Sequence, residues 1–250
     1  MLIGGTDIVL FGAAFVAALV SGLAGFAFAL VAAGAFLQFL PPTTAVPIVL
    51  AGSAVAQLYS VFALRRAIVW PRLAPFVVGG LVGLPIGIYL LTTIEPSGFR
   101  LVVGLFLVSY SAWALIAPAP APITTGGALA DGCIGAVGGV LGGLAALSGA
   151  IPTIWCGLRG WTRDEARAVY QPYILVMQIV ALAMAAAAGA IDRAAIGGFA
   201  VALPAVLIGA ALGMRLYRHV NDRQFRLIVL WLLLASGAAL LAPRLWAAAI

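Results

Sequence analysis

The residues best suited to chemistry in this chain gather around two interruptions in long apolar sequence. At the second, Ser148-Gly149 is followed by Thr153, and Gln171-Pro172, Tyr173 and Gln178 stand in the next apolar segment. Within a bilayer, such hydroxyls and amides must find partners, either neighbouring backbone or a bound molecule. At the first, Gly22-Leu23-Ala24-Gly25-Phe26 interrupts another apolar run. A helix that stops and restarts at such a point exposes unpaired N–H groups and a partial positive charge. Together these suit an anion without needing a cationic side chain. Glycine-rich turns can also be purely steric, and polar side chains can simply bond helix to helix, so the residues alone leave both readings open. Gln38, Gln57 and Tyr59 are weaker instances of the same pattern.

Other chemistries find little support. Asp131 is the only acid inside an apolar segment. It could carry a coupling proton, or, lying near a helix start, it could favour the helix dipole and reach the interface. The sole histidine, His219, falls in a polar loop far from Ser148, so a serine hydrolase would lack its base. All 13 basic residues are arginine, and without lysine there is no Walker A motif. Cys133 and Cys156 both lie in apolar sequence, which supports neither a disulfide framework nor a zinc site. The expectation is a protein that is not an enzyme and needs no metal or cofactor.

The elements that must position these residues follow from composition. Hydrophobic residues make up 65% of the 250 positions and charged residues 8%, more apolar surface than a soluble domain can hide. Apolar segments fall at 8–40, 44–64, 70–91, 98–116, 126–158, 166–188, 194–217 and 224–242, long enough for membrane helices and without the alternation of a β-barrel. The net charge of +6 is carried mainly between these segments, which points to orientation in the bilayer rather than to nucleic acid. Thr162-Arg163-Asp164-Glu165 reads as a capping box opening a helix. Gly79/Gly83/Gly87 and Gly209/Gly213 stand four apart, the spacing of close helix packing, either within the chain or at a homodimer seam.

The two halves echo each other. Phe99-Arg100-Leu101 recurs as Phe225-Arg226-Leu227 and Gly83/Gly87 as Gly209/Gly213, both offset by 126; Gly22-Leu23-Ala24 recurs as Gly143-Leu144-Ala145, offset by 121. This order predicts two repeats, 1–118 and 119–250, joined in one membrane domain. Each opens with a stretch of 33 residues, 8–40 or 126–158, which as one helix would be about 50 Å long and need a tilt above about 50°. A discontinuous element explains both the length and the central small residues. Arginine placement favours re-entrant hairpins over broken full spans. With hairpins, Arg65, Arg66, Arg72, Arg159, Arg163, Arg167, Arg215, Arg218, Arg223 and Arg226, ten in all, lie inside and three lie outside, against eight and five for full spans. The expected fold is thus all-α and polytopic, with two inverted repeats, each a discontinuous hairpin plus three transmembrane helices, and both termini outside the inner membrane.

The stretch from Gly142 to Trp161, with Ser148-Gly149, Pro152-Thr153 and Trp155 at its centre, followed by Arg167 to Gln171-Pro172, resembles the TauE/SafE sulfite-exporter family. Ser21-Gly-Leu-Ala-Gly25-Phe26-Ala-Phe28 resembles the family's first-repeat glycine motif. Ala146 and Ala150 stand where the family pattern would lead one to expect Gly and Pro, and Ala27 and Phe28 dilute the first glycine run. The resemblance implies a secondary transporter or facilitator of sulfite, sulfonates or related small organic anions. It makes Gly22, Gly25, Phe26, Ser148, Gly149, Thr153 and Gln171 the expected substrate-binding residues. The alternative from another class is a membrane scaffold or assembly factor with no transported ligand, which would need no buried helix ends.

Overall fold

The computed structural model describes residues 5–36, 40–91, 96–116 and 122–248; Gln38 and the alanine–proline positions 117–121 lie outside them. The described residues form ten α-helices: α1 Gly5–Ala24, α2 Phe28–Phe36, α3 Pro42–Leu64, α4 Trp70–Leu91, α5 Pro96–Ile116, α6 Gly127–Ala145, α7 Ala150–Leu158, α8 Arg163–Ala187, α9 Arg193–Tyr217 and α10 Asp222–Ala248. Each expected apolar segment becomes helix, and the capping box forms as its residues dictate: the Thr162 hydroxyl accepts from the Glu165 N–H while the Glu165 carboxylate accepts from the Thr162 N–H. Among the described residues, six helices are long and apolar enough to cross a membrane, namely Asp7–Ala24, Thr43–Ala67, Trp70–Leu90, Gly127–Leu144, Arg163–Ala187 and Arg193–Tyr217.

Both long runs are interrupted, but unequally. The first divides into helices of 20 and nine residues and the second into 19 and nine. Nine residues rise only about 14 Å, too short for a hydrocarbon core of about 30 Å. α7 runs back beside α6: the Arg159 guanidinium, just past the end of α7, donates to the Gly127 carbonyl at the start of α6 at 3.1 Å. The α1–α2 pair likewise returns. α1 travels beside α9, and the start of α3 meets the start of α9 where the Thr44 hydroxyl donates to Asp192 at 3.4 Å.

Glycine decides which helices lie together. α4 packs on α6 and α1 on α9. A Cβ on Gly79, Gly83 or Gly87 would fall 1.9, 2.0 or 2.2 Å from the backbone oxygens of Gly132, Ala136 and Val140 in turn. Only glycine permits that approach. The contacts advance along both helices in the same direction, so α4 and α6 run parallel. α1 and α9 repeat the arrangement, with Gly209 and Gly213 set against the Phe15 and Leu19 carbonyls. Gly22 and Gly143 belong to these packing faces as well: a Cβ on either would strike the backbone of α9 or α4. Both lie within helices, three residues before the interruption in each case, rather than at it. The spacing of four is therefore used inside the chain. α8 packs on α3 and α5 on α10.

Contacts also bring the arginine-bearing helix ends together. Arg72 at the start of α4 pairs with Glu165 at the start of α8 at 2.9 Å. Tyr217 at the end of α9 donates to Asp164, and Arg226 on α10 donates to the Ala114 carbonyl near the end of α5 at 3.0 Å. Arg193 lies at the opposite end, beside Asp192.

Candidate functional site

The two interruptions meet. After α1 the chain turns through Gly25, with φ of +89°, and after α6 through Ala146, with φ of +55°. Alanine seldom adopts that left-handed geometry, and here its N–H bonds the Gly142 carbonyl at 2.9 Å, closing the helix end. A Cβ on Gly149 would lie 3.0 Å from the Phe26 Cβ and 2.5 Å from the Ile174 Cδ1. The tips of the two discontinuous elements thus touch, beside the middle of α8. Between them lies a cavity of about 10 Å³ lined by Phe26, Ala146, Leu147, Ser148, Gly149, Ala150, Ile174 and Gln178. That is the room of one water molecule.

The polar groups around this point have few partners of their own. Among the described residues, no hydrogen bond uses the N–H of Ser148 or Gly149, at the start of α7. The Gln178 Oε1, the Thr153 Oγ1 and both amide atoms of Gln171 are buried without a hydrogen bond. Leaving such groups unpaired costs about 1–3 kcal/mol each, so the arrangement favours any molecule that pairs them. Gln171 faces the first interruption, since a Cβ on Gly25 would sit 2.9 Å from its Nε2. Gln57 reaches the same turn, donating to the Gly25 carbonyl at 2.7 Å. Of the expected site residues, Phe26, Ser148 and Gly149 line one cavity, Gly25 and Gln171 sit together beside it, and Thr153 lies one turn into α7. Gly22 is not brought there.

The end of α1 is closed by residues that patterning did not single out. Arg167 is fully buried and donates to the Leu23 and Gly22 carbonyls, each at 2.8 Å. The Tyr170 hydroxyl donates to the Ala24 carbonyl at 2.8 Å. A cation against the last carbonyls of a helix complements its dipole. In sequence Arg167 looked like one more arginine near a loop; its burial comes from α1, 144 positions away. Asp131 also has a distant partner. It pairs with Arg159 at 2.8 Å, both side chains nearly buried, and accepts from the Trp155 indole at 2.7 Å. These bonds tie α7 back to α6.

An all-helical membrane protein whose two discontinuous elements meet tip to tip, with buried polar groups left unpaired at the junction, has the architecture of a membrane transport protein. A family model described as sulfite exporter TauE/SafE matches residues 10–240, and the chain belongs to that family. Neither the curated proteins nor the solved structures contain a match to the chain. Membership makes it a membrane transporter of sulfite or sulfur anions in general. Among the described residues no cluster of His, Cys, Asp or Glu could hold a metal ion.

Proposed function

We propose that this chain is a secondary transporter or facilitator that moves a sulfite-, sulfonate- or carboxylate-type anion across the inner membrane, binding it between the tips of its two discontinuous elements. The observation that carries this reading is the contact of Phe26 with Gly149 beside Ser148, the unpaired amide of Gln171 and the unpaired Gln178 Oε1. The start of α7 offers the Ser148 and Gly149 N–H groups and its positive dipole end to the anion's oxygens. The Ser148 hydroxyl and the Gln171 amide N–H supply further donors, and Phe26 and Ile174 suit an organic substituent. Thr153, one turn into α7, adds an unpaired hydroxyl. Gly25 gives the first tip its turn, and Gly22 acts at one remove, by seating α1 on α9.

A cavity of about 10 Å³ cannot hold such an anion, so the tips are closed and must part to load it. Two inverted repeats supply a means. The order of a long helix, a nine-residue helix and three further helices occurs twice, and the α1–α9 contact mirrors that of α6 with α4. One pair of elements then enters from each face, with the arginine-rich end inside and both termini outside. Asp131 fits an ion pair that holds α7 better than a proton carrier, because carrying a proton would require leaving Arg159. The test is transport by protein reconstituted into liposomes, against a panel of sulfur anions and carboxylates. Saturable movement of at least one sulfur anion is expected; none from the panel would defeat the reading.

A further inference from the structure

A second cavity lies at the arginine-rich end, where the end of α3, the start of α8 and the end of α9 converge. Its volume is about 220 Å³, and Ala63, Leu64, Arg163, Asp164, Met214, Tyr217 and Arg218 line it. Unlike the closed cavity between the tips, it has room for a sulfonate with a short organic chain. Tyr217 is buried and lines it. Two guanidinium groups lie against the Tyr217 ring, that of Arg163 at 4.8 Å and that of Arg167 at 3.9 Å from the centroid. The one acid in the lining, Asp164, accepts the Tyr217 hydroxyl.

Arg167 gives this pocket a direction. It is buried among apolar residues and joins none of the ion pairs of the described residues. Its Nε has no hydrogen-bond partner, while its other nitrogens hold the last carbonyls of α1, next to the first tip. A buried cation held by backbone carbonyls, with Asp164 near it but in no direct ion pair, raises the local potential towards which an anion moves. From the pocket inward, the order is Arg218 and Arg163, the Tyr217 ring, Arg167, and then the turn at Gly25-Phe26.

We propose that this pocket is a second oxyanion site, the station at which the transported anion binds before it reaches the tips, with Tyr217 as the partition between the two. The site takes a small sulfonate or sulfite through the Arg218 and Arg163 guanidinium groups, which suit the paired oxygens of such an anion. The proposal rests on the transporter reading above, and the experiment separates the two.

Calorimetric titration of the detergent-purified full chain with methanesulfonate, and separately with sulfite, should reveal two classes of site. Arg218→Gln removes an exposed side chain and should weaken the outer class about tenfold or more, leaving the inner class as it was. Arg218→Lys, which keeps the charge but loses the planar fork, should recover only part of the loss, and added salt should weaken the outer class more than the inner one. Ser148→Ala should do the reverse of Arg218→Gln. A single class that Ser148→Ala weakens and Arg218→Gln leaves alone overturns the second site while the transporter reading stands. Binding untouched by either variant overturns both the second site and the site between the tips. Should the pocket bind only an anionic lipid in nanodiscs, and neither anion in detergent, it is a headgroup site and the proposal fails.

Discussion

Replacing Gly83 with alanine tests whether glycine contacts set the α4–α6 packing. The added Cβ would lie 2.0 Å from the Ala136 oxygen, and that atom is backbone, which cannot rotate aside. Carbon and carbonyl oxygen rest at about 3.3–3.6 Å in close helix contacts, so α4 must retreat by about 1.3 Å. That retreat opens the neighbouring contacts at Gly79 and Gly87, which depend on the same separation. Overpacking of this kind costs about 1–3 kcal/mol, at the upper end where nothing can repack. The better helix propensity of alanine returns about 1 kcal/mol. The net expectation is a loss of about 2 kcal/mol, roughly a 30-fold fall in the folded-to-unfolded ratio. Gly12 is the control, since a Cβ there meets nothing within 4 Å, and Gly12→Ala should be neutral or more stable by about 0.5–1 kcal/mol. Unfolding in mixed micelles, followed by tryptophan fluorescence, measures both. If Gly83→Ala proves as stable as Gly12→Ala, the steric reasoning is wrong.

Asp131→Asn should cost about 3 kcal/mol of stability, because it leaves the nearly buried Arg159 without its counter-charge; proton-driven uptake should persist, and its loss with exchange intact would make Asp131 the proton carrier instead. Arg167→Met should lower the thermal midpoint by freeing the Gly22 and Leu23 carbonyls, an effect of about 2 kcal/mol or more; an unchanged midpoint would mean that α1 needs no such cap. Single cysteines at 66 and 218, on a background lacking Cys133 and Cys156, should react with an impermeant thiol reagent from the same side, and one at 192 from the other. Labelling of all three from one side would rule out the proposed topology.

Local signals carried far in this sequence, and non-local ones did not. The apolar runs, the Thr162–Glu165 box and the glycine spacings were legible because each is settled within a few residues. The two interruptions were legible too, since 33 apolar residues exceed any reasonable tilt. Their positions were harder. Gly22 looked like a turn residue because glycine marks both turns and tight packing, and only the presence of α9 tells which applies. The second turn falls partly on Ala146, where φ is +55° and no glycine announces it. Arg167 gave no sign of burial, since its partners lie on α1. Ser148 and Gln171 stood out by being polar in apolar sequence, whereas the facing of Phe26 onto Gly149 required the assembled fold.

The central claim is that an anion binds where the two tips meet, and affinity measured by calorimetry on folded, monodisperse protein tests it most directly. Ser148 is almost wholly buried and lines the cavity, so Ser148→Ala removes one donor and little else. A hydrogen bond to a charged ligand is worth about 1.5–3 kcal/mol, and the inner affinity should fall about tenfold or more. Gly149→Val should weaken it further, because the branched side chain would fill the space between Phe26 and Ile174. Gly12→Ala, on a helix face with nothing near it, should bind like the parent. If Ser148→Ala and Gly149→Val also bind sulfite and methanesulfonate with the parent's affinity, the junction of the tips is a structural kink and the anion binds elsewhere.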